Sequence, residues 1–414
     1  MFEKLFKRSV VLDRHEHAPY REERERYLAY CDREGYKRST LRLFARELLW
    51  IARKLRLDPE RGVTIEQVKA AARGWAARQR AYGQPLNARW TRSRFIQTAR
   101  TWLRFLGYWR EPHQSIPFAH LIDDFKVWME NERGFTPATV VQQCGYLKHF
   151  FLWYGNLDRP VSALSLNDID AFLTQYGARC TARKSVKSMA GALRAFFKYA
   201  GSQGLCRSSI AEGIHGPRTF AEEHLPSAPS WEDVQRLLAS MEGHDHRTVR
   251  DRAAVLLFAI YGLRSIEVRA LRLEDIDWER NLLLVSRAKR RERQAYPLIP
   301  IVGNAIIRYL REVRPPSSFR ELFLTVVPPF RPLTRGGFYQ MTGQRMAKLG
   351  IRAPHRGPHT LRHACAAHLV TQGFSLKEIG DHLGHRSSRA TRTYARIDLP
   401  RLREVALFDL GGRS

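Results

Sequence analysis

Long hydrophobic runs are what this chain most plainly lacks. No apolar stretch approaches the ~20 residues that span a bilayer, so no membrane partner is expected. Cysteine is scarce: Cys31, Cys144, Cys180, Cys206 and Cys365 are the five in 414 residues, an odd number with no C-x-x-C pair. That excludes a disulfide framework or a cysteine-built zinc site and favours a reducing compartment. Met1 to Arg14 is basic but has neither the apolar stretch nor the cleavage site of a secretory leader. No P-loop, dinucleotide glycine pattern or carboxylate cluster for two-metal nuclease chemistry stands out, so neither a nucleotide cofactor nor a metal is implied. Negative charge is also short. Against 41 Asp and Glu stand 70 Lys and Arg, a net charge of +29. Such a charge says little about fold and much about partners. Arginine dominates, which favours phosphate and nucleic acid. The expected setting is cytoplasmic, in the nucleoid of a prokaryote.

Most of the remaining pattern is helical. Residues 20–33, 38–56, 64–80 and 91–107 are long, charged and periodic in apolar positions. Further helices are expected near 118–131, 137–154, 167–175 and 183–203. The two sets resemble one another at an offset near 100 residues. Arg33-Glu34-Gly35-Tyr36 parallels Glu132-Arg133-Gly134-Phe135, and Arg100-Thr101-Trp102-Leu103 parallels Arg194-Ala195-Phe196-Phe197. Gly216 to Ser230, with Pro217, Pro226 and Pro229, reads as a linker. Beyond it the pattern mixes. Val249 to Tyr261 reads as a buried helix capped by Gly262, and Leu282–Val285 pairs as a strand with Ala295–Ile299 across a basic turn. Helices follow near 303–313, 335–349, 359–372, 375–383 and 388–396, with a last short one from Pro400 to Ala406. The expected division is 1–111, a helical domain; 112–216, a second helical domain; 217–230, a linker; and 231–414, a mixed domain.

Five short strings in this last part fall in a telling order. They are Tyr261-Gly262-Leu263-Arg264-Ser265-Ile266-Glu267, Ala288-Lys289 before Pro297-Leu298, Pro358-His359-Thr360-Leu361-Arg362-His363, Leu383-Gly384-His385-Arg386-Ser387, and Tyr394. Together they resemble the boxes of the tyrosine recombinase (phage integrase) family, closely over residues 231–410 and loosely over 116–216. Ala288 departs mildly, standing where glycine is commoner. The fold this implies is mainly α with a small β-sheet or hairpin in the catalytic domain, preceded by helical-bundle DNA-binding domains. Residues 112–216 would be the core-binding domain, and 1–111 an additional copy.

The residue types suit attack on a phosphodiester. Its charge must be held by preorganised donors as the pentavalent state forms, and arginine offers a planar, always-charged fork. Arg264 and Arg362 are those forks. Tyr394 is the nucleophile, the only tyrosine between His385 and the last residue. A phenol with a pKa near 10 needs a base, and His359 fits because imidazole titrates near neutrality. Lys289 is expected to protonate the leaving 5′ oxygen, and His385 to donate a hydrogen bond to the transition state. Glu267 is expected to orient His385 or Arg264. Arg287, Arg290, Arg291 and Arg293 around the turn are expected DNA-phosphate contacts.

Other readings weigh less. His359-x-x-x-His363 and His382-x-x-His385 have helical spacing that metals use, but no third ligand completes a zinc rule. Trp50, Trp75, Trp90, Trp102 and Trp153 on amphipathic helices suit a core better than base stacking. The resemblance implies a metal-free and ATP-free recombinase working through a 3′-phosphotyrosyl bond on double-stranded DNA. It further implies a dimer per site and a tetrameric synapse, with other recombinase or accessory proteins left open as partners. The segment Ile397 to Leu407 is similar to the docking tail of mobile-element integrases. A type IB topoisomerase and an inactive DNA-binding regulator are the rivals.

Overall fold

The computed structural model describes residues 1–58, 60–81, 88–111, 115–179, 182–218, 228–287, 293–353, 355–384 and 391. By contacts the chain forms two compact units, Met1–Arg110 with His224–Ser414, and Glu111–Glu223.

In the first unit the N-terminal block opens with two short helices, α1 (Phe2–Leu5) and α2 (Ser9–Glu16), which the sequence pattern did not suggest. Four longer ones follow: α3 (Arg21–Arg33), α4 (Arg38–Lys54), α5 (Ile65–Ala81) and α6 (Ala88–Leu106). Their apolar faces meet in a core that includes Leu28, Leu48, Ile51, Phe95 and Trp102, all fully buried. Arg24 is buried too. It donates to the carbonyls of His15, Ala18 and Pro19 at 2.7, 2.9 and 3.0 Å, which ties down the turn between α2 and α3.

The second unit holds α7 (Ala119–Asn131), α8 (Pro137–Tyr154), α9 (Leu166–Arg179), α10 (Arg183–Ser202) and the short α11 (Ile210–Gly213). Its core is aromatic, with Phe125, Phe150, Phe151, Phe196 and Phe197 fully buried. The set α7–α10 repeats α3–α6 element by element, with starts displaced by 95 to 101 residues. Buried positions repeat as well: Leu41 with Val140, Leu48 with Leu147, Ile51 with Phe150, Trp102 with Phe196, and Leu103 with Phe197. Both sets begin after an aromatic residue in the left-handed region, Tyr20 at φ 56° and Phe118 at φ 58°. Bulky residues avoid that region, so its recurrence at matching places marks a shared local design.

The third block returns to the first unit. Ser230 caps α12 (Trp231–Ala239), accepting from the Asp233 amide at 3.1 Å. Then come α13 (His246–Ile260), α14 (Ser265–Ala270), β1 (Ile276–Asp277), β2 (Leu282–Ser286), β3 (Arg293–Pro297), α15 (Pro300–Glu312), α16 (Arg335–Lys348), α17 (Pro358–Thr371) and α18 (Leu376–Leu383). Ala253 to Ala259 of α13 are buried without a break. A helix apolar all round belongs at the centre of a core, and α13 packs on α15 and α17. The strands form one antiparallel sheet in the order β1-β2-β3, with Leu283 opposite Tyr296 and Ser286 opposite Arg293. The N-terminal block touches this one where Arg331 donates to Tyr30 Oη and pairs with Glu34, at 3.2 and 3.3 Å. No described helix is long and apolar enough to cross a membrane. Of the expected helix at 388–396 only Thr391 is described, helical and buried, and the one at 400–406 lies outside the described residues.

Candidate active site

Two helix ends define the site. A helix C-terminus leaves carbonyls without intrahelical partners and carries partial negative charge. The chain leaves α13 through Gly262, at φ 58°, and α18 through Gly384, at φ 62°. A Cβ on Gly262 would lie 2.4 Å from Leu383, and one on Gly384 would lie 2.4 Å from the Arg287 guanidinium, so both places are closed to other residues.

Cationic and hydroxyl donors gather between these ends. Arg362 donates to the carbonyls of Gly262 and, at 2.8 Å, Leu383, and so bridges the two termini. Arg264 reaches the Gly384 carbonyl at 3.5 Å. Arg287 donates to the His382 carbonyl at 3.1 Å, and Tyr296 Oη donates to the same oxygen. His382 Nε2 lies 3.0 Å from the Ile260 carbonyl and, as N–H, donates to it.

Glu267 ties this set together from below. Its carboxylate is buried and accepts from the Arg264 amide at 2.7 Å, Arg264 Nη1 at 2.8 Å and Arg287 Nη1 at 3.0 Å. A buried carboxylate sharing two guanidinium groups fixes both in direction as well as place. The outcome differs between the arginines. The Arg264 side chain stays 33% exposed, whereas Arg362 is 1% exposed.

His359 follows Pro358 in the first turn of α17, one turn before Arg362. Proline is well placed there, where its missing N–H is not needed. His359 is exposed as a residue, yet the protein around it strips solvation from the ring. That loss, then the charges of Arg362 and Arg264, holds its pKa below the usual imidazole range. His363 packs edge-on against it, ring centres 4.3 Å apart, and burial with His359 and Arg362 nearby lowers its pKa to about 4. Both shifts favour the neutral ring, the form in which His359 can accept a proton.

The structure thus brings Arg264, His359 and Arg362 together, with Glu267 paired to Arg264. Lys289, His385 and Tyr394, and also Arg290 and Arg291, lie outside the described residues. Arg293 is exposed at the start of β3. The expectation of a phosphate contact at Arg287 is corrected. It is 4% exposed, and Glu267, Gln294 and the His382 carbonyl occupy its donors. The sequence did carry a signal for this. Leu283, Val285 and Arg287 alternate with outward residues, so period-two counting carries the inner face of β2 on to Arg287, the residue just after it. Tyr296 was missed as a support, because carbonyl capping depends on tertiary contacts.

Residues 230–399 match a family model described as "Phage integrase family", and residues 122–204 match "Phage integrase, N-terminal SAM-like domain". Among curated relatives, the integrase/recombinase y4rA of Sinorhizobium fredii is 32% identical over 67% of this chain and 68% of its own length. The tyrosine recombinase XerD of Lacticaseibacillus casei is 30% identical over 67% and 94%. Among solved structures, the XerH site-specific recombinase bound to a palindromic difH substrate shares the fold. Its TM-score is 0.55 at 20% identity, over 69% of this chain and 84% of that one. The Tn1549 transposon integrase in complex with a circular intermediate DNA gives 0.51 at 18%, over 70% and 100%.

Proposed function

The chain belongs to the phage integrase family of tyrosine recombinases, enzymes that break and rejoin DNA, and on that premise we propose how its own residues divide the work. The substrate is double-stranded DNA. Tyr394 Oη attacks the phosphorus of one strand and gives its proton to His359. The bond to the 5′ oxygen breaks, and that oxygen takes a proton from Lys289. A 3′-phosphotyrosyl bond keeps the energy of the broken linkage, so attack by another 5′ hydroxyl rejoins DNA by the reverse path.

Arg264 is the fork that meets the phosphate, since a third of its side chain is open to solvent while Glu267 holds its back. Arg362, covered and fixed between two helix ends, supplies a constant positive charge behind it. His385 donates to the transition state, and Arg290, Arg291 and Arg293 hold flanking phosphates. The observation that carries this reading is the convergence of Arg264 and Arg362 on the abutting ends of α13 and α18, beside His359.

Residues 112–216 serve as the core-binding domain and 1–111 as its copy. Subunits work as a dimer on each site and as a tetramer when two sites pair. The segment from Ile397 to Leu407 links neighbouring subunits. The likeness to a transposon integrase supports a home on a mobile element, and the protein works in the cytoplasm with the nucleoid.

The division of labour is testable in single-turnover cleavage of duplexes built from the DNA flanking the gene. Arg264→Ala should bind but cleave ~10²–10³-fold more slowly, the usual loss of one transition-state donor. A substrate with sulfur at the bridging 5′ position leaves without a proton. It should restore Lys289→Ala and leave Arg264→Ala slow. Equal rescue of both, or of neither, would contradict these roles.

A further inference from the structure

The family models begin at residue 122, and the N-terminal block ahead of them carries a cleft that the site above does not use. This cleft, about 930 Å³, lies between the α1–α2 segment and helices α4 and α5. Lys7, Arg8, Arg14, Arg46, Arg53 and Arg78 line it, all exposed. Among the described lining residues there is no aspartate or glutamate. Glu47, the one acid on α4, is buried elsewhere against Arg94 and Thr98.

The walls are built, not incidental. Arg42 Nε donates to the Leu5 carbonyl at 2.6 Å and holds α1 against α4. His15 lies stacked with Phe2 and Phe6, 4.8 Å from each, and Arg24 secures its carbonyl. Arg42, Arg46 and Arg53 share one face of α4, a stripe about 16 Å long at 1.5 Å per residue. That spans about five base-pair steps of duplex at ~3.4 Å each. So many like charges on fixed walls repel one another, and a polyanion relieves that repulsion. Trp50 in the same cleft has Lys54 and Arg78 over its ring, at 5.2 and 5.3 Å, and its Nε1 donates to the Ala71 carbonyl. Its role is to set cations in place, which leaves no platform for a base.

We propose that this cleft is a second DNA-backbone site, one that holds the phosphates of duplex DNA along α4 without reading sequence. The proposal rests on the reading that the chain works on duplex DNA. The matching helix of the second bundle lacks the stripe. At the matching places in α8 stand Val141, Gly145 and Leu152, none of them charged.

The test uses the full chain and a long duplex of random sequence. Wild type, Arg46→Ala/Arg53→Ala/Arg78→Ala and the corresponding triple lysine variant are titrated across salt concentrations, with thermal unfolding measured alongside. Loss of three phosphate contacts should lower the slope of log K against log salt by about 2.7, at ~0.9 per contact. The lysine variant should keep the wild-type slope. Covalent capture of nicked duplexes from the flanking DNA should persist in the alanine variant. A slope unchanged in the alanine variant, with capture intact, overturns the cleft as a DNA site and leaves the catalytic reading standing. A slope lost equally in the lysine variant also overturns it, since that reports packing rather than charge. Absent capture in wild type, with the slope change present, would instead remove the catalytic reading and keep a DNA-binding cleft.

Discussion

Helices α4 and α8 hold the same place in two bundles and show how a scaffold separates what it buries from what it displays. Inside, they agree: Leu41, Leu48 and Ile51 correspond to Val140, Leu147 and Phe150, all buried. Outside, they part. Helix α4 carries Arg38, Arg42, Arg46, Arg53 and Lys54, while α8 has Lys148 as its single lysine or arginine. Burial removes apolar area from water and punishes change, whereas an exposed position tolerates almost any residue. The inner pattern therefore repeats, and the outer one has been free to take a separate task.

The largest expected effect tests the shared interior. Trp102→Ala and Phe196→Ala remove matching fully buried rings, and each should destabilise its bundle by about 3–5 kcal/mol. Denaturant unfolding of the full chain checks this. If one substitution is tolerated and the other is not, the two cores are not equivalent.

Next comes a feature only the first bundle has. Glu47 is buried and pairs with Arg94 at 2.8 Å, while Tyr146 stands at the matching place in α8. Arg94→Ala leaves that carboxylate unpaired and should cost about 3 kcal/mol, near the low end for a broken buried pair. Burial raises the Glu47 pKa, with Thr98 and Arg94 pulling the other way. The folded bundle thus holds this proton more tightly than the unfolded chain. Stability should fall as pH rises from the ordinary value of 4.5 to the raised one, then stay level. Glu47→Gln should remove that slope, and a slope that survives would place its origin elsewhere.

The smallest effect exchanges caps. Thr136 caps α8, accepting from the Thr139 amide, whereas Lys37 opens α4 with no side-chain cap. Lys37→Thr should stabilise, and Thr136→Ala destabilise, each by about 1 kcal/mol. Changes of the same sign in the unfolding midpoint would show that the two helix starts differ more than their backbones suggest.

Much of this was legible in the sequence, for identifiable reasons. Amphipathic spacing placed helices such as 137–154 and 183–203 to within a residue, because their apolar stripes are long. The offset near 100 residues was visible in Gly35 and Gly134, and both glycines take positive φ. Arg264, His359 and Arg362 stood out because glycine, proline and helical spacing fix their local setting. Helices α1 and α2 were hidden, since four and eight residues hold too few turns to show a period. Arg287 was misread because its charged neighbours drew attention from its strand register. The basic cleft was not visible as a unit, since α1–α2 and Arg78 are brought to α4 only by folding.

The measurement that bears most directly on the central claim identifies the residue that carries DNA. Wild-type protein is trapped on a nicked duplex built from the flanking DNA, digested, and the peptide bearing nucleotide is sequenced by mass spectrometry. The account predicts a 3′-phosphotyrosyl peptide modified at Tyr394, and no adduct from Tyr394→Phe despite retained binding. Modification at another residue, or an adduct of normal yield from Tyr394→Phe, would contradict it.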